Sequence, residues 1–196
     1  CNSGDECWGT NPFDEDYTDD GGEAFPQFDY GLVSPGMGPI SSTGYIAKFS
    51  SWHGLFHNTT TSTQGVTETR YYDCAYVQIR NSTDGVNWGN QWSYIPFDVS
   101  AAGSSSGLGT NQGIYAKGIN SGYIQNCDGL LANDFALAGE STSVINPDGW
   151  GTLALNLQGY VHSYVQLRFV LERNSHVGEA VNSTMPGWYI DDFRLG

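Results

Sequence analysis

Basic residues are scarce in this chain: five Arg and two Lys stand against 21 Asp and Glu in 196 residues, a net charge of −14. Nucleic acid and anionic membranes are held through Lys and Arg contacts to phosphate, so neither is a partner for such a surface. No apolar run reaches the roughly 18 to 20 residues that span a bilayer, and no signal peptide is visible. A secreted protein in mature or excised form is the expectation. Catalytic signatures are missing too. The four histidines (His53, His57, His162, His176) are not in H-E-x-x-H spacing, and no G-x-S-x-G precedes a helix. No internal repeat points to a propeller or solenoid.

Helix formers are sparse, and the charged fraction is only 14%, beside 26 glycines and 14% aromatic residues. That composition predicts short strands between many turns. Ala75, Val77 and Ile79 alternate with Tyr76, Gln78 and Arg80, and Val165, Leu167, Phe169 and Leu171 alternate with Gln166, Arg168 and Glu172. Period two is the mark of a strand with one buried face. Leu32-Val33 before Pro35, Tyr45 to Trp52, and Leu153, Leu155 and Leu157 add further strands. Trp92 to Phe97 returns after the Asp84-Gly85 turn to make a hairpin, and the Ser/Thr-rich span from Asn58 to Thr69 reads as a loop. Eight to ten strands suit two packed antiparallel sheets. The expectation is an all-β sandwich of the jelly-roll type, one domain over 1–196, with long connections across 100–150.

Four cysteines allow three pairings. Cys1 with Cys7 and Cys74 with Cys127 are favoured, the first close in sequence and the second closing a long central excursion. Their spacings fit no C-x-x-C zinc site, so disulfides and an oxidising extracytoplasmic compartment are expected.

Residues 1–31 carry nine of the 21 carboxylates and no Lys or Arg, so the segment is either solvated or held by cations. Asp16-Tyr17-Thr18-Asp19-Asp20-Gly21 approximates the opening of a calcium loop. An EF-hand is rejected, because the twelfth position is Gln27 rather than Glu and no helices flank it. The closing run Gly187-Trp188-Tyr189-Ile190-Asp191-Asp192-Phe193-Arg194-Leu195-Gly196 sets two carboxylates inside a strand pattern. Strict alternation places Asp191 with Tyr189, Phe193 and Leu195, and Asp192 with Trp188, Ile190 and Arg194. A carboxylate among apolar neighbours needs a metal, backbone N–H groups or a proton. Ca²⁺ tying the two ends of the chain together is therefore expected, with Asp191 as the stronger ligand and Asp192 paired with Arg194.

Cys7-Trp8-Gly9-Thr10-Asn11, Leu32-Val33-Ser34-Pro35, Tyr72-Asp73-Cys74-Ala75-Tyr76-Val77-Gln78-Ile79 followed by Asp84-Gly85-Val86-Asn87-Trp88, and the terminal Gly-Trp-Tyr-Ile-Asp-Asp-Phe together resemble the MAM-like jelly-roll domains. These domains are appended to secreted immune inhibitor A-type proteases and to prokaryotic cell-surface proteins. The resemblance implies a calcium-stabilised accessory, adhesive or assembly module. Asp191 and Asp192 match its terminal motif and Asp73 its acidic strand opening, with Asp16, Asp20 and Glu23 as the N-terminal carboxylates that complete the metal set. The chain departs from the pattern in lacking a W-x-x-G opening and in a longer, more acidic 12–31.

Trp88 and Trp92, with Trp52 and Trp150, are the candidates for stacking on a glycan, although large aromatics also fill sandwich cores. Sequons stand at Asn58, Asn81 and Asn182. The function expected is a non-catalytic, calcium-stabilised module at the cell surface or secreted, whose partners are other copies of itself, a surface protein or a glycan. A self-assembling subunit of an extracellular filament or surface layer, a carbohydrate-binding module and a hydrolase with an unrecognised acidic site are the alternatives.

Overall fold

The computed structural model describes residues 3, 7–9, 28–55, 57–65, 67–71, 73–98, 136–139, 141, 149–173 and 187–196. Among these residues ten strands run in order: β1 (Trp8–Gly9), β2 (Phe28–Val33), β3 (Ile46–Gly54), β4 (His57–Thr61), β5 (Thr67–Tyr71), β6 (Cys74–Ser82), β7 (Ser93–Ile95), β8 (Gly151–Asn156), β9 (Tyr164–Arg173) and β10 (Gly187–Leu195), with a 3₁₀ turn at Gln158–Tyr160. They form two four-stranded antiparallel sheets, β1-β10-β3-β8 and β2-β9-β6-β7, with β4-β5 apart. The pairs β6·β7, β3·β8, β2·β9 and β1·β10 are nested like one long hairpin, and β10·β3 and β6·β9 are the contacts made when that hairpin rolls up. This is a jelly-roll sandwich, as the alternating patterns predict.

The alternation sets the core directly. On β3, Ala47, Phe49, Ser51 and His53 turn inward while Ile46, Lys48, Ser50 and Trp52 turn out. Ala75, Val77 and Ile79 of β6 meet Leu171, Phe169 and Leu167 of β9 in register, all buried. Phe49 is the centre, edge-on to Phe169 at 5.3 Å and tilted against Phe97 at 6.4 Å. A fully buried side chain of this size is worth roughly 1.5–3 kcal/mol. Trp188, wholly buried, places its Nε1–H on Ser51 Oγ at 2.9 Å, so its one polar atom costs nothing unpaired.

A short run, Ala136 to Ser141, connects the two sheets at one end. Leu137 exchanges backbone hydrogen bonds with Ala75 of β6, Gly139 accepts from Leu55, and Ser141 N–H donates to His53 O of β3. Under this run His53 is buried, and among the described residues neither ring nitrogen makes a well-formed hydrogen bond, although the Ala138 backbone lies close enough to act on the ring. Desolvation lowers its pKa from 6.5 to about 4, and the nearby Ala138 backbone opposes this only in part.

The span from Asn58 to Thr69 corrects the loop reading: it is the hairpin β4–β5, with Thr59 opposite Thr69 and Thr61 opposite Thr67. Polarity suggested a loop, but Thr is β-branched and favours extended backbone regardless of where it points.

Candidate functional site

The site begins as a register shift. β10 pairs with β3 through Trp188·His53, Tyr189·Trp52, Ile190·Ser51 and Asp191·Ser50, then resumes at Arg194·Lys48 and Leu195·Ala47. Asp192 and Phe193 thus stand together opposite Phe49. Asp192 takes φ of 51°, the left-handed conformation that opens a bulge of this kind and that Gly usually supplies. Asp tolerates it because its short polar side chain bonds locally. The carboxylate of Asp191 reinforces the turn, accepting Asp192 N–H at 2.8 Å.

This bulge overturns the alternation expected for β10. Phe193 swings to the inner face, stacking on Phe49 at 6.4 Å and 19°, instead of sitting beside Asp191. Asp191 lies on the outward face opposite Ser50, beyond the Trp52–Tyr189 edge contact at 5.7 Å. The two aspartates do not point to opposite faces. Asp191 Oδ2 accepts Ser3 N–H at 2.9 Å and Asp192 Oδ1 accepts Ser3 Oγ–H at 2.5 Å, so both converge on one residue. Ser50 Oγ donates to Asp192 Oδ2 at 3.1 Å, where pairing with Arg194 was expected; Arg194 faces Lys48 instead. Chemically the arrangement is a pair of convergent acceptors that fastens the N-terminal segment to the last strand. β1 completes that closure, with Trp8 opposite Ile190 and Gly9 opposite Tyr189.

Of the other expected ligands, the one among the described residues is not brought to this pair. Asp73, buried, precedes β6 in the other sheet. Asp16, Asp20 and Glu23 lie outside the described residues, and among the described residues no three His, Cys, Asp or Glu side chains form a metal-sized group. Calcium takes six to eight oxygens; the described carboxylates here are Asp191 and Asp192, a fitting but partial set. Cys7 and Cys74 are both disulfide-bonded, while Cys1 and Cys127 of the expected pairing lie outside the described residues. Among the sequons, Asn81 is exposed near the end of β6, Asn58 falls on β4, and Asn182 is outside the described residues.

Trp88 and Trp92 both lie in the β6–β7 connection after the Asp84-Gly85 turn, and both are half-buried. Asp84 builds that turn: its Oδ1 accepts N–H from Asn87 at 2.8 Å and Val86 at 2.9 Å. The Asn87 N–H, then that of Val86, holds its carboxyl well below the usual carboxylate range. Trp88 lies over Gly36, where a Cβ would come within 2.8 Å of the indole. Trp92 stacks against two guanidiniums, Arg80 Cζ at 4.6 Å and Arg168 Cζ at 4.9 Å from its ring centre.

Sequence reasoning missed Ser3 and Ser50, which carry no motif, and Glu172. Glu172 follows the outward set of β9 yet is buried, receiving a hydrogen bond from Tyr76 Oη. Its signal was Tyr76 and Cys74 on the same face of the neighbouring strand, beneath Ala136 and Ala138 in a second small core. Comparison with known family models, curated proteins and solved structures returns no significant match.

Proposed function

We propose that this chain is a non-catalytic extracellular module, of adhesive, accessory or assembly type, whose two ends are joined through Ca²⁺. One observation carries the reading: Asp191 and Asp192 converge on Ser3, so the final strand presents both carboxylates to the N-terminal end of a chain whose first 31 residues carry nine more. Calcium neutralises carboxylates that would otherwise repel, and the acidic segment has no Lys or Arg of its own to do so. The disulfide-bonded state of Cys7 and Cys74 agrees with an oxidising compartment, and the MAM-like resemblance agrees with a surface or secreted setting.

Thermal melting in EDTA and in millimolar Ca²⁺ tests the closure. A ligand at about 100 times its Kd stabilises by about 2.7 kcal/mol, so the melting temperature rises with calcium and Asp191→Asn with Asp192→Asn removes the rise. Superimposed melts overturn it.

A second reading, a self-assembling filament or surface-layer subunit, is favoured by the open side of β10. Among the described residues that side pairs only with Trp8 and Gly9, while Phe193 and Leu195 remain 38% and 41% exposed. A strand edge left open among the described residues accepts a strand from another chain. Electron microscopy of purified protein at rising concentration separates the two readings, because only the second yields polymers.

A further inference from the structure

The outward face of the β2-β9-β6-β7 sheet holds a positive island in an acidic protein. In register, Arg80 stands opposite Gln166 and Gln78 opposite Arg168, so two arginines and two glutamines form a checkerboard across β6 and β9. Each arginine is held by the glutamine on the other strand. Arg80 Nε donates to Gln166 Oε1 at 2.8 Å, and Arg168 donates to Gln78 Oε1 through Nε at 2.8 Å and through Nη2. Arg80 Nη1 also reaches Gly89 O at 3.3 Å. Trp92 lies against both guanidiniums, and Trp88 is 5.7 Å from that of Arg80.

Charge makes this arrangement informative. The chain has seven cations against 21 carboxylates, yet these two cations share one indole, and among the described residues neither meets a carboxylate. Were the cluster only a staple for the hairpin, Glu at 78 or 166 would hold the guanidinium as well and cancel the repulsion between the pair. Glutamine fixes the planes and leaves the charge. Among the described residues no acceptor meets Arg80 Nη2 or Arg168 Nη1, and both arginines are partly exposed beside half-buried indoles. Val33, opposite Arg168 on the neighbouring strand and 42% exposed, extends the shelf.

We propose that this face binds a carboxylate-bearing sugar, the uronic acid residue of an acidic polysaccharide, with its carboxylate on Arg80 and Arg168 and its ring against Trp92 and Trp88. Guanidinium takes a carboxylate in a planar two-bond fork, and an indole rewards the C–H face of a pyranose ring. An acidic peptide fits less well. The acidic stretch of a second copy, with Asp14, Glu15, Asp16, Asp19 and Asp20 within seven residues, is as densely charged as a polyuronate but brings no pyranose ring to the indoles. The site deepens the adhesive reading and rests on it for an extracellular ligand.

Calorimetric titration with oligogalacturonate in 0.15 M salt, with and without EDTA, tests it, near-UV circular dichroism confirming that each variant is folded. The result expected is binding that methyl esterification weakens at least tenfold. Gln166→Glu and Gln78→Glu, near-isosteric and neutralising, and Arg168→Gln weaken it equally, while Trp92→Phe weakens it less. Equal affinity for acid and ester, binding unchanged in Gln166→Glu, or binding only of a peptide spanning residues 12–24 overturns the proposal. Failure of the calcium closure registers in the melts and leaves this titration unchanged, so the two readings fail separately.

Discussion

Ser3 and Asp192 stand 189 positions apart and are joined by a hydrogen bond from the serine hydroxyl to Asp192 Oδ1. The contact exists because a left-handed residue interrupts β10 at the point where the strand would otherwise turn that carboxylate inward. An edge strand is a liability when its polar groups are unpaired. Here the last strand receives β1 along Tyr189 and Ile190, and its carboxylates receive Ser3 just beyond.

The bulge makes Asp192 sensitive to side-chain shape more than to charge. Left-handed backbone costs an L-residue about 1–2 kcal/mol, most for a β-branched one, and glycine essentially nothing. Asp192→Val is expected to lose more stability in urea than Asp192→Gly by about that amount, although both lose the bonds to Ser3 and Ser50. Equal losses would show that the backbone conformation is not the constraint.

His53 predicts an acid limb in stability. Its folded pKa, lowered to about 4, lies below the ordinary 6.5 of the unfolded chain, so the unfolded state binds the proton first. Its contribution is complete above pH 6.5 and is lost as pH falls toward 4. The span corresponds to about 3 kcal/mol. Denaturant midpoints measured across this window should decline in the native protein and decline less in His53→Gln, whatever the absolute stability of that variant.

Ser51 and Trp188 should be energetically coupled. Ser51→Ala removes the Oγ acceptor of the buried indole N–H, at a cost of about 1–3 kcal/mol. Trp188→Phe removes the donor and some packing, including part of the edge contact to Phe169 at 5.7 Å. In a double-mutant cycle Ser51→Ala is expected to cost markedly less on the Trp188→Phe background, and additive losses would contradict the bond.

Gly9 is glycine because the Tyr189 ring occupies the place of its side chain, 2.5 Å from where a Cβ would be. Gly9→Ala should release β1 while leaving the rest of the sheet intact. Amide hydrogen exchange reads this: protection at Trp8 and Gly9 falls, protection in β3 and β8 stays, and Tyr189→Ala restores β1 in the Gly9→Ala background.

Much of the fold was legible along the chain. The period of two in β3, β6, β8 and β9 marked their inward residues, because each strand alternates between a shared core and the outside. The β6–β7 hairpin was legible from Asp84-Gly85, whose φ of 73° at Gly85 is what that dipeptide supplies. The β4–β5 hairpin was not, because threonine marks both loops and strands. For the site, Asp191 and Asp192 stood out as carboxylates in a strand, but their orientation did not. A bulge shifts every later residue to the other face, and no local pattern distinguishes an aspartate that opens one from an aspartate that alternates.

Local spacing and composition alone determined the all-β class and the identity of the core faces, since each depends only on the order of residues along one segment. Tertiary structure alone decided that Ser3 meets both terminal aspartates, that Glu172 is buried against Tyr76, and that Arg80, Trp92 and Arg168 share one face. Those relationships join residues on different strands, and strand order and register are set by how the long hairpin rolls, which no single segment encodes.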